Sequence, residues 1–233
     1  MSVVPWIAAA VSLAFAVHLL VRFVRHGRWA EGAWAVALLM YAAASAALAL
    51  GLTDGWTSAE FRTYWLFGAV LNVPYLALGE IYLLARRPRV GHVALLVLLA
   101  ATAYATLEVR NADLDARVLA SREFFTGKEA LGEGATARLL ALVYSYTGTA
   151  VLVLGILWSA LGMRGKPHLR GRLYGVSLIL LGALVVAGGS AFAAAGNATG
   201  FSVTLAAGVA VMYWGFLVSS RPSPVPDQGA GQG

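Results

Sequence analysis

Apolar residues run through this chain in long blocks separated by short polar turns. Seven blocks stand out, at about 3–24, 32–52, 62–85, 91–107, 137–162, 172–195 and 201–219. A helix rises 1.5 Å per residue, so roughly 20 apolar residues cross the hydrocarbon core of a bilayer. Val93 to Ala103 is continuously apolar and rich in Leu and Ala. A barrel facing lipid would show short strands of alternating polarity instead. The pattern predicts an all-α polytopic membrane protein, a seven-transmembrane-helix bundle over residues 1–220, with a disordered tail at 221–233. That tail is rich in Pro, Gly and Gln, and is expected to be too short for a kinase, cyclase or DNA-binding output.

Composition sharpens this picture. Of 233 residues, 60% are hydrophobic and 12% charged. A soluble domain carries about twice that charge fraction. The first block is not expected to be a cleaved signal. Met1 to Pro5 carries no positive side chain, and Arg22, Arg25 and Arg28 follow the apolar run instead of preceding it.

The basic residues orient the bundle. Arg25 and Arg28 follow span 1, Arg86, Arg87 and Arg89 follow span 3, and Arg164, Lys166, Arg170 and Arg172 follow span 5. Short basic loops stay in the cytoplasm. The N-terminus is therefore expected outside and the C-terminus in the cytoplasm, in a multi-pass protein of the plasma (cell inner) membrane. The long connection at 108–138 holds five basic and six acidic residues and is extracytoplasmic by parity. Within it, Leu114, Val118, Leu119 and Phe125 fall near helical spacing, which allows a short amphipathic helix or an irregular tether. Trp6, Trp56 and Trp65 are placed at the outer interface, and Trp29, Trp34 and Trp158 at the inner one. The net charge of +6 is a topology signal, and nucleic acid is not expected as a partner.

Glycine recurs every seven residues in the last three spans: Gly148, Gly155, Gly162; Gly175, Gly182, Gly189; Gly208, Gly215. A seven-residue period keeps small residues on one helix face, where backbones approach closely. The expectation is a tight sub-bundle of spans 5, 6 and 7.

Few side chains in the spans can carry chemistry. His18 and Glu80 are ionisable and lie one to two turns from the cytoplasmic surface. They read either as a proton-coupling pair or ligand anchor, or as a structural pair snorkelling to the interface. Asn72 and Tyr75 flank Pro74 near the middle of span 3. Pro74 cannot donate to the carbonyl of Val70, so a kink and a free acceptor are expected there. Tyr104, Tyr144, Ser145, Tyr146 and Thr149 lie at outer or middle depths of spans 4 and 5, with Ser190 and Asn197 of the span 6 region at similar depths. If their faces converge, they line an outward-opening cavity for a lipid or small apolar molecule. If not, they are interhelical hydrogen bonds.

Several functions are excluded. Both lysines, Lys128 and Lys166, lie in loops, so no span forms a Schiff base with retinal. No cofactor is expected. Only His18 lies well inside a span, so paired haem ligands are lacking, and no His/Asp/Glu cluster suits an intramembrane metal. There is neither a GxxxxGK loop nor a GxSxG turn.

The segment Phe61 to Leu84, FRTYWLFGAVLNVPYLALGEIYLL, together with GVAVMYWGFLV at the end of span 7, resembles a family of uncharacterised seven-span integral membrane proteins of high-GC Gram-positive bacteria. The resemblance implies the same architecture and brings no activity. In topology alone the chain is similar to the seven-span sensor modules that precede some bacterial histidine kinases. The leading expectation is a receptor or accessory subunit that binds a small apolar or lipid-like ligand. It would signal to a cytoplasmic protein through the basic loops 86–90 and 164–172. The alternative is a small proton-coupled transporter using Glu80 and His18, and an enzyme is not expected.

The chain has no cysteine, so single cysteines report sidedness without background. Asn111→Cys is expected to react with an impermeant maleimide added to intact cells, and Lys166→Cys only after lysis. Equal labelling of both would overturn the topology.

Overall fold

A computed structural model describes residues 3–85, 87–120, 127–132, 134–163 and 170–219. The regular elements among them are all helical: α1 (Val3–His26), α2 (Trp29–Asp54), α3 (Ser58–Tyr64), a π-helical segment (Trp65–Leu71), α4 (Asn72–Leu84), α5 (Pro88–Asn111), α6 (Ala116–Ala120), α7 (Gly127–Leu131), α8 (Thr136–Met163), α9 (Arg170–Ala194) and α10 (Ala198–Ser219). Each of the seven apolar blocks falls on a helix. Six helices are long and apolar enough to cross a membrane, with α3, the π segment and α4 counting as one rod over Ser58–Leu84. The apolar part of α9, Leu173–Gly189, is shorter. Arg86, the loop at 164–169 and the tail from residue 220 lie outside the described residues, as do Phe125 and the side chain of Ser190.

Local chemistry sets the turns. Gly27 (φ 66°) and Gly55 (φ 90°) follow α1 and α2 in the left-handed region, which stops each helix cheaply. The next rod opens on a Thr57-Ser-Ala-Glu60 capping box. Thr57 Oγ1 accepts from the Glu60 amide at 3.2 Å, and Glu60 Oε2 accepts from the Thr57 amide at 2.8 Å.

The helices form a ring in the order α9, α10, α1, α2, α4, α8, with α5 outside α4 and α8. Among the described residues α8 and α9 touch only sparsely, so the ring is thinnest there. Side chains stitch the other neighbours together. Tyr41 of α2 donates to the carbonyl of Leu205 in α10 at 3.2 Å. Phe15 of α1 stacks on Tyr213 of α10, ring centroids 4.7 Å apart.

The glycine seams act in two places. In α9 and α10 they face each other: a β-carbon on Gly182 would sit 2.5 Å from the Gly208 carbonyl, and one on Gly215 2.6 Å from that of Gly175. In α8 they face α4 instead. Gly148 lies against the Pro74 backbone, 3.0 Å from a built β-carbon to its nitrogen, and Gly155 lies against the Glu80 side chain. The expected sub-bundle of spans 5, 6 and 7 is thus corrected to two close pairs, α9 with α10 and α8 with α4. A seven-residue repeat marks a close-packing face without saying which helix approaches it.

The tryptophans also divide. Trp6, Trp29 and Trp158 are exposed on the bundle surface, as interface anchors require. Trp34, Trp56 and Trp65 turn inward. Trp34 lies over Gly79, Trp56 over Gly51 and Trp65 over Gly127, each ring filling space that only glycine leaves. The described parts of the connection at 108–138 pack onto the bundle end. Leu119, Ala130 and Leu131 are buried, Leu114 and Val118 pack against the same core, and Arg62 Nη2 donates to the carbonyl of Ala112 at 3.1 Å.

Overpacking a close helix contact costs on the order of 1–3 kcal/mol. Gly208→Ala places its methyl against Val186 and the Gly182 carbonyl, whereas nothing lies within 4 Å of a β-carbon on Gly162. Thermal melts of the purified protein are expected to show a clear loss for Gly208→Ala and little change or a gain for Gly162→Ala.

Candidate functional site

The end of the bundle at the α1–α2 turn holds a cavity of about 320 Å³ between α1, α2, α4, α8, α9 and α10. Its walls are mostly apolar, with Leu38, Leu76, Leu152, Ile156, Ile179 and Met212 among them. Three aromatic rings, Phe15, Trp34 and Phe216, complete them. Four charged side chains reach the same space: Arg22, Arg28, Glu31 and Glu80.

Glu31 sits in the first turn of α2, where a negative group meets the positive end of the helix dipole. It is 4% exposed. Two of the three Arg22 guanidinium nitrogens bind one of its oxygens: Nη2 lies 2.9 Å and Nε 3.0 Å from Oε1. Arg28 Nη1 stands 3.8 Å from the same atom, with its own side chain largely in the open. The Arg22 guanidinium also lies 5.1 Å from the centre of the Phe216 ring, a cation–π contact. Glu31 Oε2 is buried and has no hydrogen-bond partner.

Glu80 comes from α4 on the far wall and is 3% exposed. Its Cγ rests against Gly155 of α8, so only glycine at that point admits the side chain. Its Oε1 is buried without a hydrogen-bond partner. Trp34 closes the wall between the two carboxylates in sequence, its Nε1 donating to the Leu76 carbonyl at 3.0 Å.

Of the nine residues singled out from sequence, only Glu80 lines the cavity. His18 does not meet it. The His18 Nδ1 lies 3.4 Å from the Tyr213 hydroxyl, and its ring meets Phe216 edge-on at 5.4 Å. Four others form interhelical bonds in the opposite half. Asn72 Nδ2 donates to the Ala37 carbonyl at 3.0 Å, and Tyr75 Oη lies 3.2 Å from Thr102 Oγ1. Tyr144 Oη donates to the Ala101 carbonyl at 3.3 Å. Ser145 Oγ donates to the Ala69 carbonyl at 2.8 Å. Tyr104 and Tyr146 face outward, at 48% and 73% exposure, and Thr149 is half-buried. These faces do not converge on the cavity described here.

The Ser145 bond answers the question raised by Pro74. Proline removes a donor from the turn behind it. The π segment Trp65–Leu71 ends just before that turn and shifts the register of the ladder. The carbonyl that receives an outside donor is that of Ala69, one residue before the expected Val70. Among the described residues no group of three His, Asp or Glu side chains is placed to hold a metal ion.

Sequence reasoning missed Glu31 and Arg22 as site residues. The signal was present: Glu31 is the lone acid among the three basic connections. It was set aside because the apolar block was drawn from residue 32.

Comparison with known proteins gives no match: no family model fits the chain, and neither a curated protein nor a solved structure aligns with it.

Removing one partner of a buried ion pair leaves an uncompensated charge and costs on the order of 3 kcal/mol, whereas replacing both by apolar residues is often neutral. Arg22→Met is therefore expected to lower the melting temperature, and Arg22→Met combined with Glu31→Leu to restore most of it. A double variant as unstable as the sum of its parts would show that the pair contributes nothing as a unit.

Proposed function

We propose that the chain crosses the plasma membrane seven times, with the N-terminus outside and the C-terminus in the cytoplasm. In this reading it binds a small amphipathic molecule in the cavity at the α1–α2 end. It acts as a receptor or an accessory subunit, and the basic loops at 86–90 and 164–172 face a cytoplasmic partner protein. The observation that carries the reading is a mostly apolar cavity, about 320 Å³ in volume, with two buried acidic residues, Glu31 and Glu80, in its lining. Ligand pockets begin near this size, and they combine apolar walls with a few convergent polar groups. The cavity lies on the cytoplasmic side under the basic-loop orientation, the reverse of the outward-opening pocket expected from Tyr144 to Thr149.

The six helices at its walls also suit a receptor. Arg22 and Phe216 couple α1 to α10 across the cavity, and Glu80 couples it to the α4–α8 contact. An occupant that displaced either group would move both ends of the ring. Proton-coupled transport through Glu80 and His18 is the other reading, and no contact joins those two residues.

The test is purification in neutral phosphatidylcholine nanodiscs followed by native mass spectrometry. The protein is expected to retain a bound small molecule, and Ile156→Trp, which fills the cavity from α8, to lose it while melting normally. Identical spectra from the two proteins would refute a ligand in this cavity. Flux in proteoliposomes that depends on pH and on Glu80 would favour the transporter.

A further inference from the structure

Resting on the cavity just described, we infer that its occupant is an amphipathic amine whose ammonium group sits on Glu80. The polar atoms decide the polarity of the guest. Of the donors in the described lining, Arg22 is bound to Glu31 and the Trp34 indole N–H to the Leu76 carbonyl, while Arg28 stands 3.8 Å from Glu31 with its side chain largely in the open and Ser159 adds a hydroxyl. Apart from these stands the Glu80 carboxyl group, which belongs to the lining and has no cation placed on it. An occupant that meets Glu80 has to bring a donor.

Charge decides between a neutral donor and a cation. Arg22 and Arg28 both converge on Glu31, and neither is placed on Glu80. Glu80 is thus a carboxyl group at 3% exposure in a lining that also holds Leu76, Leu83, Leu152 and Ile156. A lone carboxylate in such surroundings is costly, and an ammonium ion against it removes that cost. Aromatic rings add to the preference. Trp34, whose own N–H is spent, and Phe15 both line the cavity. Rings and carboxylates together recognise organic cations. An acid or a phosphate head would meet the unpaired Glu80 carboxylate instead. The apolar walls take the hydrocarbon part of the guest.

Gly155 fixes the geometry. Its missing side chain lets the Glu80 stem lie against α8, which holds the carboxyl in the cavity.

The experiment compares head groups on one tail. The wild-type protein in phosphatidylcholine nanodiscs is titrated with n-octylamine, n-octanol and n-octanoate, and saturable binding is read by calorimetry and by thermal shift. Octylamine is expected to bind at least about tenfold more tightly than octanol, a difference of about 1.4 kcal/mol, and octanoate not at all. Glu80→Gln is expected to erase the amine preference while leaving octanol binding in place, which also shows that the variant is folded. Glu80→Asp is expected to keep part of the preference. Equal binding of octylamine and octanol to the wild type, or an amine preference that survives in Glu80→Gln, would overturn the inference but leave the cavity reading standing. Failure of all three compounds to bind saturably would overturn both. A repeat in discs containing phosphatidylethanolamine separates two sources of the same chemistry: competition places the ammonium on a lipid head, and its absence places it on a free amine.

Discussion

Inside a stack of apolar helices a polar group has no water to fall back on, so the partner it finds decides which helices touch. That constraint organises this protein. Asn72 reaches the backbone of α2, Tyr75 a threonine of α5, and Ser145 the backbone left short of a donor by Pro74. Each such bond is worth only about 0.6 kcal/mol on average in a membrane. Together they fix the rotation of α2, α4, α5 and α8 about their own axes, which nondirectional apolar contact leaves loose. The opposite end obeys the same rule by another route. There, one arginine spends two nitrogens on Glu31 and rests on Phe216, drawing α1, α2 and α10 together.

Close packing does the rest. Where side chains are absent, backbones meet, as α9 and α10 do at Gly182 and Gly208. Where one glycine faces a ring, the ring fills the place, as Trp34 does over Gly79. The cavity exists because neither device operates between α8 and α9. Ile156 and Ser159 on one side and Val176 and Ile179 on the other border space instead of each other.

The helices were legible in the sequence, and the site was not. Lipid demands unbroken apolar blocks, so block boundaries mark helices directly, from Val3 to Ser219. Rotation was not legible. Each residue turns the helix by about 100°, and in an all-round apolar helix no polar face shows the direction. Tyr144 points into the bundle and Tyr146, two positions on, points out of it. Pro74 announced an orphan acceptor, but the π segment moved it to Ala69. Glu31 was passed over because a charged residue beside a block looks like loop, although α2 begins at Trp29 and carries it into the core. Heptad glycines disclosed faces and concealed neighbours for the same reason.

The thin seam between α8 and α9 has a consequence for how any guest would be supplied. In the proposed membrane reading, a molecule dissolved among the acyl chains would enter past Ile156 and Val176 without crossing water, and the bilayer would act as a reservoir that concentrates hydrophobic compounds. Occupancy then follows how strongly a compound dissolves in the leaflet, as well as how well it fits. Two amines with the same head but different tails would differ in apparent potency by the ratio of their partition coefficients.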